Sequence, residues 1–217
     1  MRIDTFRGAI RLLGLVLPMA VLASSAQGQA FGVAVNTATV NQKLAYVALP
    51  AGESMASNQN QSASVPGLVT AQDLFAIVTG DGDPSDGPTA VSSATLGVVS
   101  LLNGLITADG IVAMASSSIG DAGANSNAAG SSLANLVIGG SEISDPAPNT
   151  RVNLPGVGYV LLNEQRPSGD GVTTSGMTVN MIHVVLQQPI LGLLGQITGY
   201  RTVGDIVVGS ATSKVTR

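Results

Sequence analysis

The sequence predicts an all-β fold: an antiparallel β-sandwich built from repeated hairpins. Three observations predict it. Beyond Ala30 no long stretch repeats its apolar residues at the 3.6 period of a helix. Short runs rich in Val, Ala, Ile and Thr alternate instead with clusters of Gly, Pro, Asn and Ser, the pattern of strands and turns. Asn103-Gly104 separates two apolar runs within SATLGVVSLLNGLITADGIVAMASSS (93–118), and such a pair marks a hairpin because both central residues need positive φ. Two-residue turns join antiparallel strands, and two stacked sheets close a core without bulky side chains. A β-solenoid is the alternative, but it requires a repeat at every rung.

Composition sets the limits of that core and of function. Hydrophobic residues make up 45% of the 217, yet Trp is absent and Phe, Tyr and Trp together reach 3%, so small aliphatic side chains must fill the interior. Net charge is −4, and beyond Ala30 six Lys/Arg against twelve Asp/Glu give −6. A nucleic-acid partner is therefore not expected, since it needs a basic stripe to displace counterions. The chain has no cysteine, which excludes disulfides, thiol catalysis and thiolate metal sites.

The first thirty residues read as an export signal. Arg2, Arg7 and Arg11 form a basic start, LLGLVLPMAVLA (12–23) an apolar core, and SSAQGQA a small-residue segment cleavable after Ala26 or Ala30. Twelve apolar residues are short for a bilayer span. Residues 1–30 are thus set apart, residues 31–217 form a single all-β domain, and no transmembrane segment is expected in the mature chain. The expected location is extracellular or periplasmic.

Along the mature chain, FGVAVNTATV (31–40) and KLAYVAL (43–49) read as strands, and residues 51–64 as a polar loop carrying the sequon Asn60-Gln61-Ser62. Residues 67–80 (GLVTAQDLFAIVTG) repeat 104–117 (GLITADGIVAMASS), sharing Gly67/Gly104, Leu68/Leu105, Thr70/Thr107, Ala71/Ala108 and Ala76/Ala113. Strict alternation then places Ile106, Ala108, Val112 and Met114 on one face, matched by Val69, Ala71, Phe75 and Ile77. Residues 201–213 read as a weaker echo of 106–118. LANLVI (133–138) before Gly139-Gly140 and TVNMI (178–182) echo the first hairpin arm. Residues 81–89, 119–132 and 166–171 read as loops, 157–163 and 177–186 as strands, and PILGLLGQI (189–197) as an apolar loop that plugs an end of the sheets or serves as a contact surface.

With the strands placed, VNLPGVGYVLLNEQ (152–165), MTVNMIHVVL (177–186) and GDIVVGSATSKV (204–215), together with the 105–118 strand and FGVAVN at Phe31, resemble the bacterial choice-of-anchor P family of exported proteins. The resemblance implies export and variable retention, with no assigned activity. The chain departs from anchored members: SKVTR (213–217) carries neither an LPxTG-type signal nor an apolar tail, which favours release.

Three constellations are candidates for chemistry. His183 is the only histidine, so any Ser-His-Asp site must use it; alternation sets it on a face with Val179, Met181 and Val185. No Gly-x-Ser-x-Gly elbow accompanies it, one histidine makes no His-rich metal site, and a structural role is expected. Asp81, Asp83 and Asp86 offer hard oxygen ligands for Ca²⁺, though the spacing departs from an EF-hand loop and suits an ordinary acidic turn. Glu164 and Asp170 flank one loop as a paired-carboxylate candidate for glycoside hydrolysis, but no Trp platform supports a sugar. The sequence thus points to a secreted, non-enzymatic structural or surface-interaction module, with no catalytic, cofactor-binding or metal residues assigned and with itself or cell-surface components as partners. A carbohydrate- or calcium-dependent binding module is the second reading and a hydrolase the third.

Overall fold

The computed structural model describes residues 24–82 and 87–217. The chain starts one sheet with β1 (Ser25–Thr37), β2 (Asn41–Leu44) and β3 (Val47–Ala48). It then builds a second with β4 (Met55–Val65), β5 (Val69–Asp81), β6 (Thr89–Leu101), β7 (Ile106–Gly120), β8 (Gly123–Asn127), β9 (Ser132–Ile138) and β10 (Ser141–Ile143). It returns to the first as β11 (Thr150–Leu154), β12 (Gly158–Gly169), β13 (Thr174–Leu191) and β14 (Ile197–Thr216). Sheet A runs β11-β12-β13-β14-β1-β2, with β3 also on β1; sheet B runs β10-β9-β7-β6-β5-β4, with β8 also on β7. Every pairing is antiparallel and most join sequence neighbours. The fold is the expected β-sandwich and not a solenoid. β14 lies against β1 from Ser25↔Thr216 to Thr37↔Gly204.

The turns follow their local chemistry. Asn103 and Gly104 take φ of 57° and 88°, and Leu105 N donates to Leu102 O at 3.3 Å; Leu102 also has positive φ. Gly139-Gly140 does the same between β9 and β10, with φ of 57° and 82°. Pro66-Gly67 and Pro155-Gly156 place proline first and a positive-φ glycine second, the type II arrangement, closed by Leu68 N to Val65 O and Val157 N to Leu154 O, both 3.0 Å.

Strict alternation fails at one place in most long strands. Asp73, Gly110 and Asn135 on β5, β7 and β9 have φ of 55°, 57° and 49°; Asn163 on β12 and Gly209 on β14 have 48° and 62°. A left-handed residue inside a strand bends it and resets which parity faces inward. β5 buries Val69 and Ala71 before the bend and Leu74, Ala76 and Val78 after it. β7 buries Ile106 and Ala108, then Ile111, Ala113 and Ala115. The expected shared faces are thereby corrected: Val112, Met114, Phe75 and Ile77 lie on the outer face, and Phe75 is 37% exposed. The repeat that aligns 67–80 with 104–117 sets Asp73 on Gly110, so the two segments share the bend itself. The echo at 201–213 does not share it, because Gly209 then falls on Met114.

Other boundaries also move. β1 begins at Ser25, so Ser25 to Ala30 belong to the sheet and not to a segment outside the fold. The part of the expected export signal up to residue 23 lies outside the described residues. The polar loop at 51–64 is largely β4, an edge strand whose side chains replace the missing alternation. Asn58 Nδ2 donates to Tyr46 O, and Asn60 Oδ1 accepts from Ala45 N, both at 2.8 Å, tying sheet B's edge to sheet A. The loop at 119–132 contains β8, and β12 continues through most of 166–171.

The core is one contiguous cluster from both sheets, dominated by Val, Ala, Ile and Leu. The absence of large aromatics shows as close sheet-to-sheet approach. A Cβ on Gly32 would meet Leu74 Cδ2 at 2.6 Å, and one on Gly209 would meet Ile111 Cγ2 at 2.9 Å. Hydroxyls cross the interface: Ser92 Oγ donates to Thr212 O and Ser117 Oγ bonds Ser213 Oγ, each at 2.7 Å, and Ser126 Oγ donates to Gly176 O at 3.0 Å.

Sheet A is uneven at one end. β12 accompanies β13 only to Leu186, and β1 accompanies β14 only to Gly204. From Gln187↔Thr202 to Leu191↔Ile197 the two strands form a two-stranded arm, held to the β11–β12 turn at its first rung by Gln187 N donating to Val157 O at 2.7 Å. The apolar loop expected at 189–197 is the end of this arm.

Candidate functional site

The sequence-predicted carboxylate and histidine meet on the outer face of sheet A. On β13, Ile182 and Val184 point into the core, so His183 between them points out, with Val185. Where β13 passes between the bends at Asn163 and Gly209, Met181 is skipped in both pairings and the inner face passes to Met181 and Val179, which corrects the expectation that these share a face with His183. The reset lets Asn180, three residues away, lie on His183's face. Asn163 does the same for β12 and turns Glu164 outward beside its cross-strand neighbour Asn180, which in turn pairs with Ser210.

Glu164 is only 3% exposed, and both oxygens are used. Oε2 accepts from Asn180 Nδ2 at 2.7 Å and from His183 Nδ1 at 3.0 Å, while Oε1 accepts from Arg166 Nη2. Ser210 Oγ donates to Asn180 Oδ1 at 2.8 Å, orienting the amide so that its NH₂ faces the carboxylate. Because an ionised carboxylate only accepts, His183 carries its proton on Nδ1 and turns Nε2 toward Asp205, 4.0 Å from Oδ2. Asp205 Oδ1 accepts from Asn36 Nδ2 at 3.2 Å. Burial alone raises the Glu164 pKa, but the hydrogen bonds from His183, Asn180 and Arg166 and the charge of His183 outweigh it, giving about 2.

Among the described residues, the hydrogen bonds of this network orient the imidazole and none of them joins it to a hydroxyl. The nearest hydroxyl in the network, Ser210 Oγ, gives its proton to Asn180 and does not touch His183. Asp170, paired with Glu164 in the sequence reading, stands apart from the network. Its pKa is lowered by the Thr173 hydroxyl and the backbone N–H groups of Val172, Thr174 and Thr173, which it binds as a turn cap at 2.6 to 2.9 Å. Both carboxyls are held ionised, whereas a glycosidase acid must be held protonated. Asp83 and Asp86 lie outside the described residues; Asp81 is the last residue of β5. Among the described residues no group of three or more His, Cys, Asp or Glu is placed to hold a metal ion.

The second candidate is the arm. Its apolar side chains are exposed: Leu193 at 104%, Leu194 at 92%, and Leu191, Tyr200, Ile197 and Ile190 each at about half. Arg201 is its only charged residue. The tip is ordered by its own bonds: Gly192 N to Gln196 O at 2.8 Å, Gly195 N to Gly192 O at 2.9 Å and Leu194 N to Gln196 Oε1 at 3.1 Å. At its base lies a cleft of about 420 Å³, lined by the β11–β12 turn (Leu154, Pro155, Val157) and the arm's own Pro189, Ile197 and Tyr200. The run PILGLLGQI flagged a contact surface. Asp205, Asn180, Ser210 and Arg166 carried no sequence signal as partners of His183 and Glu164.

Comparison with family models, with curated proteins and with solved structures finds no match. Among the described residues no helix is long and apolar enough to cross a membrane.

Proposed function

We propose that the chain is an exported bacterial protein with a non-enzymatic structural or surface-interaction role, carried out by the β13–β14 arm. The observation that carries this reading is the exposure of Leu191, Leu193, Leu194 and Tyr200 on a ribbon that leaves the sandwich. Scattered exposed apolar residues are ordinary, but a contiguous set on a projecting element marks a contact. The polar network supports the same reading from the other side, since its groups are spent on one another. The resemblance to choice-of-anchor P proteins agrees with export and adds no activity.

Export fits a basic, apolar, small-residue start and an acidic, cysteine-free remainder. β1 bears on the cleavage site: processing after Ala26 keeps most of its pairing with β14, whereas processing after Ala30 discards the residues opposite Ala211 to Thr216. Intact-mass measurement of the exported protein tests this, with an N-terminus at Gln27 expected and one at Phe31 contrary to it. A pull-down from the native cell exterior, comparing the wild type with Leu193→Asp/Leu194→Asp, tests the role of the arm. Partners retained equally by both would overturn it.

A further inference from the structure

We infer that the arm's partner is a second copy of this chain: two arms lie antiparallel across a two-fold axis, and each Leu193-Leu194 tip enters the cleft at the base of the other. This rests on the proposed role of the arm and names its occupant. Three observations carry it. The arm offers both halves of the contact, an exposed aliphatic tip and a cleft walled on one side by its own Pro189, Ile197 and Tyr200, so one two-fold operation satisfies both tips and both clefts at once. The reach agrees, since Gln187 to the Gly192 turn spans about 17 Å at about 3.4 Å per residue, enough to carry a tip across a two-fold axis to the partner's cleft, which starts at Gln187 and follows the arm's flank to Ile197.

Charge makes the third argument. A chain of net charge −4 repels its own copies, but the arm carries no acidic residue, so two copies meet where that repulsion is least. Arg151 and Asn153 at the cleft rim, with Gln187, give the apolar contact a polar border.

The full chain, purified as its host processes it, is examined by sedimentation velocity across a hundredfold concentration range. A reversible dimer is expected, with Leu193→Asp/Leu194→Asp raising its dissociation constant at least tenfold while leaving the thermal midpoint of the dilute monomer unchanged, because in the single chain these side chains contact solvent. A chain without cysteine allows a positional test. Leu194→Cys protein mixed with Asn153→Cys protein should cross-link through a short bismaleimide, and Leu194→Cys mixed with Thr95→Cys on sheet B should not. A monomer at every concentration, or a dimer indifferent to the Asp substitutions, overturns the inference. So does a monomer that floats with phosphatidylcholine vesicles through Leu193 and Leu194, which assigns the arm to lipid. A monomer whose arm still governs the exterior pull-down defeats the dimer and leaves the interaction role standing; loss of arm dependence there defeats both.

Discussion

Glu164 shows how much a single residue depends on its surroundings. Its folded pKa of about 2 lies below the ordinary 4.5, so its stabilising contribution is fully present above pH 4.5 and is lost as pH falls toward 2. The shift corresponds to about 3 kcal/mol, and the carboxylate's burial means little of it is screened. Arg166, with a side chain 60% exposed, makes the weakest of the three hydrogen-bond contributions. Glu164→Gln is expected to lower stability at pH 7 by roughly 2–3 kcal/mol, since it removes the charge while leaving Asn180 and His183 in place. Near pH 2 the two proteins should converge. Urea denaturation of both at the two pH values measures it, and a difference that persists undiminished in acid would mean the network does not hold the carboxylate ionised. The sequence displayed Glu164, Asp170 and His183 as chemistry-bearing types. It did not display that Asp170 caps its own turn while Glu164 reaches across to β13, because that choice is made by strand register.

At the scale of the strand, the bends matter most. Gly110 and Gly209 both take left-handed φ, but their surroundings differ. A Cβ on Gly110 would find only Ala134 Cβ, at 3.6 Å, whereas one on Gly209 would collide with Ile111 in the opposite sheet. Gly110→Ala should therefore cost only the backbone strain, about 1–2 kcal/mol, and Gly209→Ala should cost clearly more through overpacking. Equal losses in chemical denaturation would show that sheet spacing yields there. β1 gives a second test at this scale. A chain beginning at Phe31 lacks the pairing of Gln27 to Ala30 with Lys214 to Ala211 that a chain beginning at Gln27 keeps. Its thermal midpoint should fall by on the order of 10 °C relative to one beginning at Gln27. A coincident pair of melts would place β1's first half outside the cooperative unit. Strand existence and turn chemistry were legible at this scale because each is set within a few residues. The bends were not, since Asp73 and Asn163 look like ordinary polar positions until the inward parity changes behind them.

In the whole molecule, two seven-stranded sheets enclose a core of small aliphatic side chains, and one pair of strands outruns its neighbours. The glycine-mediated closeness of the sheets follows from composition, since a chain without Trp and nearly without Phe can fill its interior only by bringing the sheets together. If the arm is the contact, deleting residues 190–197 and joining the strands by Asn-Gly should leave the melting transition of the sandwich within a few degrees while abolishing concentration-dependent sedimentation. A sandwich that unfolds on that deletion would make the arm part of the fold. By itself the sequence determined the all-β class, the hairpin turns at Asn103-Gly104 and Gly139-Gly140, the duplicated unit and the acidic, cysteine-free surface, because these follow from local dihedral preference, period-two patterning and composition. Only the tertiary structure decided which face each residue takes beyond a bend, which side chains meet Glu164, and that 187–202 outruns its neighbouring strands as an arm. These depend on where strands distant in sequence begin, end and align, and no local pattern carries that information.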